Sequence, residues 1–589
     1  MTTFLQYAII IIMEKELVSL DIFDTALFRK VFLPTDIFRV IDNKIGHNFY
    51  NYRVAAQSTV ASKNHNYNLV DIYNAMPRNF SPKEEILTEM QLTEANPYIL
   101  NLYNSGYYDF IFISDMYLPS VVLEKLLENA GYKNPKVFVS CEEKALKGTG
   151  ELFLKVQEKL GRKIYKHYGD NYSADIKGAQ KAGVPNVEYV GPPIYVKDTH
   201  VPVLRNPILR KKLIDNEEKG IYIADKIGYT FAPLILSFLE KLLKETPANK
   251  TIFFNARDSF LLYIIAKYIL KTDRKVKYCR FSRKSVHLAN MKTSYKLEHE
   301  VNKSTLSFLL TLRVKTLRDV IDTFNLDVNR INSEVLKEID TDIEFDPNKQ
   351  NILKNFFLSI QDLIRERALQ EKANIKKYIE YLGMKDGDVF VDLGHYGSMQ
   401  SNICKMFNID LKGRYIHTFK NLKGLVNDNL EKTSFLPKDY LRLYTGIAEI
   451  VFTEPVGTVT GYSDTGVPIL TKDSYFRKSV SKSLIRGVIR GVKYLIENNI
   501  KIYYEDCITL LDRFFKYPTL EEASFANQEL FENGSIDEES VVWFNKKWIK
   551  AGKIRQCFNR SYWKTAFMVI LENNKDYKSL SKELPKCPI

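Results

Sequence analysis

Cysteine is scarce and scattered: six residues among 589 (Cys141, Cys279, Cys404, Cys507, Cys557 and Cys587), with no C-x-x-C pair. That spacing excludes a disulfide framework and a cysteine zinc site, and fits reduced thiols in a cytoplasmic protein. Glycine (26) and proline (20) are too few for a collagenous or low-complexity chain, and a 45% hydrophobic content excludes disorder. Long apolar runs are missing as well. Phe4 to Met13 (FLQYAIIIIM) spans ten residues, whereas a membrane-spanning helix needs ~20. The segment also lacks the basic start and small-residue cleavage site of a signal peptide. A strand pattern begins just after it, so Met13 is the expected initiator and residues 1–12 read as an upstream extension.

Acidic residues are the minority: 71 against 85 Lys+Arg, a net charge of +14. The excess is not spread evenly. Residues 1–200 hold 22 Lys+Arg and 23 Asp+Glu, which leaves 63 against 48 for residues 201–589. A basic second part calls for an anionic partner. No nucleic-acid-binding motif accompanies it, so nucleic acid is not the expected one. The length, at roughly 150 residues per domain, implies more than one core.

Four apolar runs in the first part end in residues with chemistry. LVSL (17–20) ends at Asp21, DFIFIS (109–114) at Ser114, KVFVS (136–140) leads to Lys147, and YKHYG (165–169) leads to Asp170 and Asp175. Short apolar runs of this kind read as buried strands of a parallel sheet, with functional groups at their carboxyl ends. An Asp, a Ser, a Lys and an Asp pair suit phosphoryl transfer. A carboxylate can attack phosphorus, a hydroxyl and an ammonium can hold phosphoryl oxygens, and further carboxylates can hold Mg²⁺.

In order and spacing these motifs resemble the phosphatases of the haloacid dehalogenase superfamily. DIFDT (21–25) resembles the first motif, ISD (113–115) the second, Lys147 with Phe153 the third and GDNYSAD (169–175) the fourth. The resemblance implies Asp21 as nucleophile, with Thr25, Ser114 and Lys147 around the phosphoryl group. It also implies Mg²⁺ on Asp21, Asp170 and the carbonyl of Phe23, oriented by Asp175. One position departs: Phe23 stands where those phosphatases place an acid/base aspartate, and Asp24, one residue on, is the candidate replacement. The segment of about residues 30–105 carries helix-compatible patterns, and the resemblance implies a helical cap over the site. The expected unit spans 13–198.

Proline and glycine gather at GPPIYVKDTHVPVLRNP (191–207), so a linker is placed at 199–215. Beyond it, TIFFNARDSFLLYIIAKYIL (251–270) and DVFVDLGHYGSMQSNICKMF (388–407) each read as strand, polar turn and helix, with VKYCRFSRKSVH (276–287) between them. Gly-containing turns before helices bind phosphate on backbone N–H groups. With EIVFTEPVGTVTGY (449–462), these motifs resemble the C-terminal half of dual-domain bacterial ribofuranosyltransferases of capsule and O-antigen synthesis. That resemblance implies transfer of 5-phosphoribose from phosphoribosyl diphosphate to a lipid-linked glycan, then removal of the 5-phosphate by the first unit. Asn255, Arg257, Arg283, Lys284, His395, Gly397, Ser398, Gln400 and Glu449 are the candidate substrate contacts. Asp258 and Asp392 are the candidate catalytic carboxylates, their roles undivided. His395 stands where an aromatic is expected, and Ser259 where glycine is common.

The expectation is thus an α/β protein: a Rossmann-like phosphatase domain with a helical cap, then a second α/β, glycosyltransferase-like domain over 216–470 with a helical C-terminal part over 471–589. A basic helix face there (Arg477, Lys478, Lys482, Arg486, Arg490, Lys493) could rest on an anionic membrane leaflet or on assembly enzymes. The competing readings are a nucleotide-sugar glycosyltransferase with an inert phosphatase-like scaffold, and a phosphatase fused to a nucleic-acid-binding module.

Overall fold

The computed structural model describes residues 15–190, 201–218, 221–290, 316–340, 346, 350–394, 396–420, 430–471, 475–527, 531–532, 538–539, 542 and 544–585. The chain is α/β and divides into two units, Met1–Glu218 and Lys219–Ile589. Residues 1–12, expected as an extension, lie outside the described residues.

The first unit is built on a parallel sheet ordered β5-β4-β1-β6-β7. Its strands are β1 (Leu17–Leu20), β4 (Asp109–Ser114), β5 (Val137–Val139), β6 (Ile164–Gly169) and β7 (Asn186–Tyr189). β1 and β5 are buried along their whole length, as apolar strands covered on both faces must be. A two-stranded antiparallel ribbon, β2 (Leu27–Arg29) with β3 (Thr93–Ala95), opens and closes an insertion between β1 and β4. The insertion holds four helices, Asp36–Ile45, Phe49–Ala61, Leu69–Asn74 and Pro82–Leu92. Two buried ion pairs stiffen it. Arg53 forks onto Glu85 at 2.6 and 2.8 Å, and Arg29 forks onto Glu89 at 3.1 Å. The described part of the 199–215 segment is ordered: helix Pro207–Glu218 buries Leu209 and Ile214, and Arg210 lies over the Phe32 ring within the first unit. The unit boundary therefore falls after that helix, because its apolar residues need a core to cover them.

The second unit repeats the plan. Its parallel sheet is ordered β12-β11-β10-β8-β9, formed by β8 (Ile252–Asn255), β9 (Val276–Cys279), β10 (Val389–Asp392), β11 (Lys412–Tyr415) and β12 (Lys432–Ser434). A hairpin of β13 (Val459–Tyr462) and β14 (Pro468–Leu470) follows. Two long helices, Ile223–Glu245 and Tyr475–Glu497, cross at bare backbone: a Cβ on Gly228 would lie 2.1 Å from the Gly487 carbonyl carbon. The C-terminal helices share their core, with Phe231, Phe514 and Phe515 in edge contact and the indole of Trp563 donating to the Phe515 carbonyl at 2.8 Å. Among the described residues, no helix is long and apolar enough to cross a membrane.

In both sheets the strand order reverses once. Chain order runs outward from β1 through β4 to β5, then returns to the other side of β1 with β6. It runs from β8 to β9, then returns to the other side of β8 with β10. Crevices at the carboxyl ends of strands flanking such a reversal are where α/β sheets bind ligands. The two reversals lie between β1 and β6 and between β8 and β10.

Candidate active sites

Asp21 follows β1 directly, its N–H donating to the Tyr168 carbonyl at 2.8 Å, so the β1–β6 pairing fixes its position. A tight turn comes next. The N–H groups of Ala26 and Leu27 both reach the Ile22 carbonyl, and Asp24 takes a left-handed conformation with φ of 61°. Lys147 enters from the loop after β5, its N–H held by Asp115 Oδ1 at 2.9 Å. Its ammonium bridges Asp21 Oδ1 and Asp175 Oδ1, each at 2.5 Å. Asp170 completes the group: oxygens of Asp21, Asp170 and Asp175 lie within 4.8 Å of one another. Ser114 is buried at the end of β4, beside β1.

The electrostatics follow from burying three carboxylates around one ammonium. Burial, with Asp175 and Asp170 nearby, pushes Asp21 up to about 7 against the pull of Lys147. Burial, with Asp175 and Asp24, raises Asp170 to about 6. Burial also raises Asp24, which Arg29 and Lys211 oppose. Asp175 is held low despite its burial, by Lys147 and His167. Lys147 is held charged despite its burial, by Asp21 and Asp175. A set of hard oxygen donors with uncompensated negative charge suits a small divalent cation. Asp175 Oδ1 already accepts from Lys147 and His167, and Oδ2 from the Asn171 N–H at 2.9 Å. Asp21, Asp170 and Asp175 together could hold such a cation, Asp175 being the most committed of the three to protein donors.

Two first-unit candidates also make contacts of their own. The Thr25 hydroxyl is buried and donates to the Val190 carbonyl at 3.2 Å, so it ties the loop to the end of β7. The ring of Phe23 is covered by the Arg29 guanidinium at 3.8 Å. Asp115 and His167, which the motif reading did not single out, hold Lys147 and Asp175.

Among known proteins, no family model matches the chain and no curated sequence matches it.

At the second reversal, Asn255 is fully buried and acts as a bridge. Its Nδ2 donates to Asp392 Oδ2 at 3.2 Å, and its Oδ1 accepts from the Phe281 N–H at 3.2 Å. Ser259 adds a second tie, its hydroxyl reaching the Asn255 and Val391 carbonyls across the β8–β10 gap. Asp392 Oδ1 accepts the Leu393 N–H at 2.9 Å. Burial and the Asp258 charge raise the Asp392 carboxyl well above the carboxylate range, with Asn255 and Arg283 opposing. Asp258 accepts from the Thr453 hydroxyl at 3.0 Å, and the Arg257 carbonyl accepts the Glu454 N–H at 3.0 Å. Glu454 in turn receives the fork of Arg280 at 2.8 and 2.6 Å and the Tyr278 hydroxyl at 2.7 Å. The Thr453–Glu454 turn thus joins the ends of β8 and β9.

The remaining second-unit candidates divide. Arg283 opens the helix Arg283–Ala289 within the field of Asp392. Lys284 feels Asp322 of the helix Leu317–Phe324, and burial lowers its pKa. Gly397, with φ of 76°, caps the helix that begins at Ser398. Gln400 is committed to the protein, its amide donating to the Leu411 and Glu431 carbonyls at 2.7 and 3.0 Å and accepting from the Tyr415 hydroxyl. With both amide hydrogens used, Gln400 pins β11 and is not a substrate contact. Glu449 contributes its carbonyl, which lies 2.5 Å from the Thr453 hydroxyl and shares that group's one hydrogen with Asp258. His395 lies outside the described residues. On the C-terminal helix Tyr475–Glu497, Lys482, Arg486 and Lys493 are exposed, and Arg490 pairs with Asp225 at 2.5 Å. The side chains of Arg477 and Lys478 lie outside what is described.

Proposed function

We propose that the protein is a bifunctional enzyme of bacterial surface-polysaccharide assembly, transferring 5-phosphoribose from phosphoribosyl diphosphate to a glycan and then removing the 5-phosphate. The observation that carries the second step is the Lys147 ammonium between Asp21 and Asp175, with Asp170 beside them, at the β1–β6 reversal. This is the motif order in which the first unit resembles haloacid dehalogenase phosphatases. Asp21 attacks phosphorus, forming an aspartyl-phosphate bond as the bond to the sugar oxygen breaks. Lys147 and Ser114 hold the phosphoryl oxygens, and Asp24 gives the leaving oxygen its proton and then takes one from the attacking water. Bound Mg²⁺, held by Asp21, Asp170 and the Phe23 carbonyl, would supply charge neutralisation.

The first step is assigned to the β8–β10 crevice. Arg257 and Arg283 contact the donor's phosphate and diphosphate, where a planar fork suits phosphate oxygens. Gly397 and Ser398 present a helix N-terminus to phosphate. Of Asp258 and Asp392, each acting as its carboxylate, one stabilises the oxocarbenium-like state as diphosphate leaves and the other takes the acceptor's hydroxyl proton, with the Arg283 charge opposing the burial that raises Asp392. The charge excess of the second part supports an anionic donor there. The acceptor is read as a lipid-linked glycan, met at the inner face of the membrane through the exposed lysines and arginine of the helix Tyr475–Glu497.

Hydrolysis of p-nitrophenyl phosphate tests the first-unit chemistry. Wild-type protein with Mg²⁺ is expected to turn it over, and Asp21→Asn to lose at least about a thousandfold of that rate, as when a covalent nucleophile is removed. Turnover by Asp21→Asn equal to wild type would remove the mechanism.

A further inference from the structure

Beneath the Asp21 site lies a buried row that the chemistry above does not use. Ser19 on β1 and His167 on β6 are direct cross-strand partners. Ser19 Oγ lies 2.8 Å from His167 Nδ1, and His167 Nε2 lies 3.2 Å from Asp175 Oδ1. Ser19, His167 and Asp175 are all 0% exposed, and the Phe153 ring closes edge-on to the imidazole at 4.8 Å. A serine, a histidine and an aspartate in a row suggest a nucleophilic triad, but no substrate can reach a serine at zero exposure. The row points the other way, into Asp175.

The partners set the proton. A carboxylate only accepts, so the ring nitrogen facing Asp175 carries the hydrogen, and Nδ1 accepts from the Ser19 hydroxyl. Burial favours this neutral form. Asp175 Oδ1 then receives two donors, Lys147 Nζ and His167 Nε2, while Oδ2 receives the Asn171 N–H. Three donors, one from the loop after β5 and two from β6 and the turn that follows it, fix the rotation of one carboxylate. Without the imidazole N–H, Oδ1 keeps only the ammonium that it shares with Asp21 and Oδ2 only the Asn171 N–H, so the carboxylate is held by two donors in place of three.

We propose that Ser19 and His167 form a positioning relay that holds Asp175 in register and thereby sets the cation affinity and phosphate chemistry of the Asp21 site. The inference rests on the phosphatase reading, and neither residue is a catalytic group. It deepens that reading by naming what aligns the carboxylates from behind, as partners behind metal ligands do.

The test titrates Mg²⁺ alone into the full-length protein by calorimetry, with melting temperature and p-nitrophenyl phosphate kinetics alongside. His167→Phe keeps an aromatic ring against Phe153 but removes the N–H. It is expected to weaken Mg²⁺ binding by about 10–100-fold, the range seen for such outer partners, and to lower kcat with little change in KM. His167→Gln, whose amide N–H can reach the place of Nε2–H, is expected to stay within about threefold of wild type, and Ser19→Ala to fall between the two. A merely structural histidine would lower the melting temperature without this rescue. If His167→Phe does not fold, Ser19→Ala decides: weaker Mg²⁺ binding at an unchanged melting temperature supports the relay, and unchanged binding overturns it. A folded His167→Phe that binds Mg²⁺ within about twofold of wild type overturns the relay alone. Wild-type protein that neither binds Mg²⁺ nor hydrolyses the phosphate ester overturns the phosphatase reading and the relay with it.

Discussion

Asp21 sits where burial, Asp175 and Asp170 keep a proton on it up to about pH 7, against the ordinary 3.8. A carboxyl with a raised folded pKa binds a proton in the folded state that the unfolded chain has already released. Stability therefore falls as pH rises from about 4 to 7, and the penalty is complete above that window. In chelator-treated protein, the melting temperature of Asp21→Asn should exceed that of wild type by a margin that grows from pH 4 to pH 7. A constant margin would contradict the assignment. In the second unit, Thr453 orients Asp258 through one hydroxyl. Thr453→Val should slow diphosphate release by about 10–100-fold, the worth of a hydrogen bond to a charged group, while Thr453→Ser keeps most of the rate in the same assay. Asp21, Ser114, Lys147, Asp170 and Asp175 were legible because each follows an apolar run. His167, Asp115 and Thr453 were not, because their value lies in contacts with residues 8, 32 and 195 positions away. Gln400 shows the converse: its turn position suggests a ligand contact, and only the fold reveals that the carbonyls of Leu411 and Glu431, just before β11 and β12, consume its amide.

At the level of elements, strands read more clearly than helix crossings. LVSL, DFIFIS and IFFN are apolar and short, so burial on both faces follows from composition alone. The helix Tyr475–Glu497 read mainly as a basic face. Its other face carries Gly487 and Gly491, which meet the helix Ile223–Glu245 at Gly228 and Ala232. A Cβ on Gly487 would stand 2.3 Å from the Ala224 carbonyl oxygen. Gly487→Leu should cost about 3 kcal/mol, the upper end for a side chain forced into a packed contact, read as a lower urea midpoint of the second unit's unfolding. An unchanged midpoint would show that the crossing tolerates separation. The insertion between β1 and β4 was legible as helical, but its entry through the β2–β3 ribbon was not, since those strands are three residues each.

Among the described residues the molecule has two parallel sheets, each with one reversal of strand order, and each reversal carries acidic groups beside a basic one. The net charge separates them, with the basic excess confined to the part beyond residue 200. This is the arrangement expected if one unit handles a multiply phosphorylated donor and the other a single phosphate. Incubating wild type and Asp21→Asn with phosphoribosyl diphosphate, Mg²⁺ and a lipid-linked glycan fraction tests that division most directly. Diphosphate release by both proteins, with a phosphate-bearing glycan accumulating only for Asp21→Asn, is the predicted result. No diphosphate release by either protein, with transfer from a nucleotide-sugar instead, would contradict it.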